Sequence, residues 1–155
     1  YDLEKKSIIT MYKYFLSLIG LFIVDRLTKV YFLRNSSLPG GWGEFFSLYF
    51  NPDIAFSIPL AIFIIYPLVI LIIVGLIVAW WKKFKKKHIL HWPLALIIIG
   101  ALSNLLDRIN YNAVIDFINI PFFSVFNLSD IYITTGVIWI LYFELFYKKY
   151  IKLNK

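Results

Sequence analysis

This sequence predicts a membrane all-α core, with four transmembrane helices and a small β-sheet formed by the two extracytoplasmic segments. Three observations lead there. The 155 residues are 61% hydrophobic and 20% aromatic, with a mean hydropathy of +0.76, whereas soluble domains are roughly half apolar. Four stretches approach or exceed the roughly 20 apolar residues that a helix needs to cross the hydrocarbon core. Twelve of the sixteen basic residues fall in three clusters that a four-span chain would carry to one side.

The first span is expected at 8–33. Ile8 to Val24 is apolar apart from Lys13, and a full-length helix must continue through Asp25, Arg26 and Lys29. Lysines before an apolar run resemble a secretory signal. However, Asp25-Arg-Leu-Thr-Lys29 stands where a small-residue cleavage site would, so the segment is read as retained. The second span, 54–81, is uncharged and ends on the interfacial pair Trp80-Trp81. The third, 89–108, has Trp92 and Pro93 near its start, and the fourth, 130–148, has Glu144 close to its end.

Two segments face outward in this arrangement. Arg34 to Ser57 holds the turn formers Asn35-Ser-Ser-Leu-Pro-Gly-Gly-Trp-Gly43, then Glu44-Phe-Phe-Ser-Leu-Tyr-Phe50, which is aromatic enough for a strand. Asp107 to Asp130 holds a second β-prone run, Ala113 to Ile120, ended by Pro121. Lipid cannot satisfy a strand's backbone, so the two runs are expected to share one sheet over the helix ends. No repeat or linker divides residues 1–155, which read as a single integral membrane domain.

The charge of +7 does not indicate nucleic acid. Lys5, Lys6 and Lys13 precede the first span, five lysines fill positions 82–87, and Lys148, Lys149, Lys152 and Lys155 close the chain. This is the positive-inside pattern, with both termini cytoplasmic and the lysines against anionic headgroups. Cysteine is absent, which excludes disulfides, thiolate metal sites and a cysteine nucleophile. His88 and His91 adjoin the lysine cluster and read as interfacial side chains rather than metal ligands.

Asp116 and Asp130 are the acids that most need an explanation. Both lie in almost wholly apolar surroundings, where an ionised carboxylate needs a partner, a proton or a task. Two carboxylates forced together share a proton and can activate water for attack on a peptide bond. Taken alone, Asp130 could instead cap the fourth helix with Ser129. Asp25 and Lys29 share a helix face, either as a snorkelling ion pair at the interface or as a brace for a site. Asn51-Pro-Asp-Ile-Ala-Phe-Ser57 is a turn leading into a helix, or else its Asn51 amide orients a substrate carbonyl. Gly100, Ala101 and Ser103 permit close helix packing. Asn104 and Arg108 share a face, and Asp107 with Arg108 could be no more than a solvated pair. Asn104 nevertheless lies in an apolar run and needs a partner.

Five motifs occur in order along the whole chain: Asp25-x-x-x-Lys29, Asn51-x-x-x-Ala-Phe56, Asn104-x-x-Asp-Arg108, Val114-Ile-Asp-Phe117 and Phe126-Asn-Leu-Ser-Asp130. In these the chain resembles the bacterial lipoprotein signal peptidases (signal peptidase II). The resemblance implies that Asp116 and Asp130 form a catalytic dyad, supported by Asp25, Lys29, Asn51, Asn104, Asp107, Arg108 and Asn127. It implies removal of signal peptides from prolipoproteins whose new N-terminal cysteine carries a diacylglyceryl group. It also implies that the enzyme works in the bacterial cytoplasmic membrane, near its outer face, without metal or organic cofactor. The chain departs from the family pattern at Asp53 and Ser103, where glycine is usual. The alternative is a small transporter or proton-conducting protein using Asp25, Asp107, Asp116 and Asp130 as a relay, which would want those acids near mid-helix.

Overall fold

The computed structural model describes residues 2–52, 62–122 and 124–147. Helix α1 spans Asp2–Asn35, α2 Ile62–Lys85, α3 His91–Tyr111 and α4 Leu128–Tyr142, the last continued by a π-helical turn, Phe143–Tyr147. Between α1 and α2 come a 3₁₀ turn, Gly40–Glu44, and strand β1, Phe46–Asn51; between α3 and α4 come β2, Val114–Ile120, and β3, Ser124–Phe126. Asp53 and the rest of its string to Ser57, the expected start of the second span, and Lys148 onward lie outside the described residues.

Helices α1, α2 and α3 run past the C-terminal end of the stretch that hydropathy marks and α4 starts before it, whereas α3 begins two residues late, at His91; solvation changes at the bilayer edge while backbone hydrogen bonding does not. Among the described residues three helices are long and apolar enough to cross a membrane: Phe63–Lys85, His91–Tyr111 and Leu128–Tyr147. Helix α1 has 34 residues and is about 50 Å long. It ends where Ser36 turns left-handed, with φ +60°, and donates its N–H to the Phe32 carbonyl, the single-bond form of a helix C-terminus. Asn112 ends α3 in the same way, with φ +54° and its N–H on the Arg108 carbonyl.

The sheet is antiparallel in the order β1-β2-β3, with Tyr49 opposite Asp116 and Ile118 opposite Phe126. The first two strands are those expected; β3, only three residues long, was too short to leave a periodic signal. The Phe32 ring of α1 stacks on Phe117 at 4.6 Å, and Asp107 of α3 accepts the Ile115 N–H, so the strand carrying Asp116 is fixed to two helices.

Helix α3 is central, packing on α1, α2 and α4, and it is far more buried than α2 or α4. Its contact with α4 is the most extensive, and two glycines permit it. A Cβ on Gly100 would lie 2.5 Å from the Ser129 carbonyl, and one on Gly136 would lie 2.6 Å from the Pro93 carbonyl. Backbone cannot yield as a side chain can. Gly100→Ala should therefore destabilise the protein by about 1–3 kcal/mol and lower activity by moving the start of α4, where Asp130 sits. Thermal unfolding and cleavage rate would both report it, and unchanged values would show that the two helices can separate freely.

Candidate active site

The interior beneath the sheet is polar. Asp25, Lys29, Ser103, Asn104, Asp107, Arg108, Asp116, Asn127 and Ser129 are buried together, while large apolar side chains cover the outside of the helices. This inversion suits a chain surrounded by lipid, where polar groups gain by facing one another.

Asn127 joins the two sequence-marked acids. It is the N-cap of α4, its Oδ1 accepting the Asp130 N–H while the Asp130 carboxylate accepts the Asn127 N–H, each at 3.1 Å. With Oδ1 committed, Nδ2 must face the other way, and there it donates to Asp116 Oδ1 at 2.6 Å. Asp130 is thus both a capping-box residue and a neighbour of Asp116; the cap and the dyad readings are compatible.

The remaining carboxylate oxygens are held by two further amides. Asn51 Nδ2 donates to Asp116 Oδ2 at 2.9 Å, and Asn104 Nδ2 donates to Asp130 Oδ1 at 2.8 Å. The Asn104 orientation is set from behind, because Lys29 Nζ donates to its Oδ1 at 2.9 Å. Lys29 uses its other donors on Asp107 Oδ2 at 2.7 Å and Asp25 Oδ2 at 3.4 Å.

Asp25 and Lys29 are therefore no snorkelling pair: both side chains are fully buried, and the contact between them is the longest of Lys29's three. The solvated reading of Asp107 is also corrected. That residue is fully buried and takes Arg26 at 2.6 Å as well as Lys29. Arg108 is buried in the same cluster. Arg26 is the participant that sequence reading missed. It also donates to Ser103 Oγ and the Ser103 carbonyl, and the only available signal was its place one residue beyond Asp25. Asp25 reaches across to the fourth helix, accepting the Ser129 N–H at 2.9 Å and the Ser103 hydroxyl. Ser103, a departure from the family's glycine, thus adds a hydroxyl to the network.

A family model described as signal peptidase (SPase) II matches residues 17–146. The chain belongs to the signal peptidase II family. It is similar to the lipoprotein signal peptidase of Pelotomaculum thermopropionicum, 33% identical over 79% of this chain and 84% of that one. It is likewise similar to that of Pelagibacter ubique, 32% identical over 94% and 95%, and that of Bartonella tribocorum, 36% identical over 79% and 80%. Two solved structures of a bacterial membrane enzyme share the fold at 24% identity. Their TM-scores are 0.69 and 0.71, and they cover 83% and 86% of this chain and 85% and 93% of their own.

As a signal peptidase II this chain is a peptidase, and among the described residues outside the spans Asp116 is a strongly perturbed acid. Burial pushes that carboxyl up to about 6; the Asn51 amide opposes the rise, the Asp130 charge adds to it, and Asn127 and Lys29 oppose it. A raised carboxyl stabilises the fold below its unfolded value of 3.8, and that stability is lost as pH rises through about 6. The difference is worth at most about 3 kcal/mol. Asp116→Asn should remove this dependence. The stability of the variant relative to the parent should thus improve between pH 4 and pH 7, as thermal unfolding in detergent would record. A constant gap would show that Asp116 titrates normally.

Proposed function

We propose that Asp116 and Asp130 are the catalytic pair of an intramembrane aspartyl endopeptidase that removes signal peptides from diacylglyceryl-modified prolipoproteins. The observation that carries this is the convergence of two acids from separate elements on Asn127, with every carboxylate oxygen held by an amide or a backbone N–H. Behind them Asp25 and Asp107 are balanced by Arg26 and Lys29. With Arg108 buried in the same cluster, one shared proton on the dyad leaves the whole group neutral.

In this reading the ionised member of the dyad takes a proton from water while the protonated member polarises the scissile carbonyl, with no covalent intermediate. The pair titrates as a unit, so the roles belong to the pair. Asn51, Asn104 and Asn127 hold the carboxylates, and Arg108 limits the negative charge. The substrate's lipid chains lie between helices, bringing its peptide bond to dyad depth. The relay alternative would want acids spaced across the bilayer, but here they gather beside the sheet. The decisive assay follows peptide release from a diacylglyceryl-modified prolipoprotein and its unmodified precursor. Cleavage of the modified form alone supports the reading, and equal cleavage of both overturns the substrate class.

The lysine distribution supports α1 as a fourth crossing, with both termini and residues 82–87 cytoplasmic and the sheet and dyad at the outer face. The chain has no cysteine, so single cysteines can be introduced at Trp42, Asn119 and Lys86. A membrane-impermeant thiol reagent should label the first two from outside and Lys86→Cys only after permeabilisation. Labelling of Lys86→Cys from outside would reverse the topology.

A further inference from the structure

We propose that the groove between α1 and α2 binds one anionic phospholipid, its acyl chain lying against α3 and its phosphate on the lysines that end α2. Helices α1 and α2 each pack on α3, and they meet each other at one end through Tyr14 and Phe15 against Trp80 and Phe84. They leave between them a cleft of about 510 Å³ whose ten lining residues are all apolar, among them Phe15, Phe22, Ile77, Trp80 and Leu102. On α3 the lining runs from Ala95 to Leu102, about 10 Å of helix. The polar network begins at the next residue, Ser103, so the cleft lies below the dyad region and is separate from it.

Trp80 lines the cleft at its end nearest the lysines. Trp80 donates to the Tyr14 hydroxyl at 3.0 Å and stacks on Phe84 at 5.1 Å. Lys83 stands one turn beyond Trp80 on the same side of α2, with Lys82 and Lys85 in that last turn and Lys86 and Lys87 following. Lys85 lies 4.8 Å from the centre of the Trp81 ring.

The apolar walls alone would accept any hydrocarbon, and in a bilayer an unfilled cleft forfeits dispersion contacts. The lysines select the occupant. Basic clusters beside transmembrane helices attract anionic headgroups, whereas a signal peptide begins with a positively charged region that five lysines would repel. A lipid from the leaflet on the lysine side satisfies both halves of the site.

The test uses the full purified chain in detergent, with phosphatidylglycerol or phosphatidylcholine of identical acyl chains added. One phosphatidylglycerol should remain bound per chain by native mass spectrometry and should raise the unfolding temperature more than phosphatidylcholine does. A triple variant, Lys82→Gln, Lys83→Gln and Lys85→Gln, should weaken phosphatidylglycerol binding by at least about tenfold, to the level of phosphatidylcholine. Ile99→Trp, or Ile19→Trp from the opposite wall should the first not fold, fills the cleft and should abolish retention of both lipids. Equal retention of the two lipids by the parent overturns the proposal. So does phosphatidylglycerol binding that survives the lysine changes, or a lipid-free dimer that covers the cleft.

Discussion

Asp116→Asn and Asp130→Asn are each expected to lower cleavage of lipidated prolipoprotein by roughly three or more orders of magnitude. Asparagine keeps the size and most of the hydrogen bonding but can neither take a proton from water nor give one to the carbonyl. Asn127 predicts a difference in how the two variants settle. Its Oδ1 is committed to the Asp130 N–H, so its Nδ2 will still require an acceptor at position 116. An asparagine introduced there must then present its oxygen to Asn127 and its NH₂ towards Asn51. At position 130 the side-chain oxygen must serve either the Asn127 N–H or Asn104 Nδ2, so that variant loses either part of the α4 cap or the Asn104 contact. Both should insert and fold, with Asp130→Asn the less stable by about 1 kcal/mol. The double variant should be hardly worse in rate than either single one, because two acids acting on one transition state are not additive. Asp53→Asn should keep substantial activity, which separates a specific dyad from a general need for negative charge. Near-parental cleavage by either dyad variant would remove that residue from the chemistry.

Lys29→Met is expected to have the largest effect on stability. The ammonium is fully buried and serves Asp107, Asp25 and Asn104 at once. Removing it takes a cation from two buried carboxylates. Asp107 keeps its pairing with Arg26, but that side chain is 22% exposed and offers a weaker hold. Breaking a buried pair from one side costs about 3–5 kcal/mol. It would also free the Asn104 amide that orients Asp130, so any folded remainder should turn over slowly. Adding Asp25→Asn should restore part of the stability by removing the carboxylate left without a cation, but not the rate, because Asn104 still lacks its clamp. Arg26→Gln should be milder, since water can reach its site. Thermal unfolding and initial rates across the four proteins would separate these effects, and parental stability in Lys29→Met would show that the ion cluster carries no weight.

The apolar stretches alone placed the helices, because twenty residues without charge have few other uses in a chain this hydrophobic. The two β-prone runs likewise placed β1 and β2. The pair Asp116 and Asp130 was legible for a related reason: an acid among Ile, Phe and Val stands out when burial costs so much. Boundaries were less legible, since α1, α3 and α4 continue past the apolar stretch wherever a local cap permits, as at Ser36 and Asn112.

Partnership was decided only by the folded chain. Spacing on one helix suggested Asp25 with Lys29 and Asp107 with Arg108. In the structure Asp107 takes cations from α1, and Asp25 caps α4. A sequence records which residues share a face of their own helix. It does not record the distance between α3 and α4, which the bare backbone at Gly100 and Gly136 sets, nor the register that puts Asp116 opposite Tyr49. Buried charges choose partners by what close packing brings within about 3 Å, and that choice belongs to the tertiary structure.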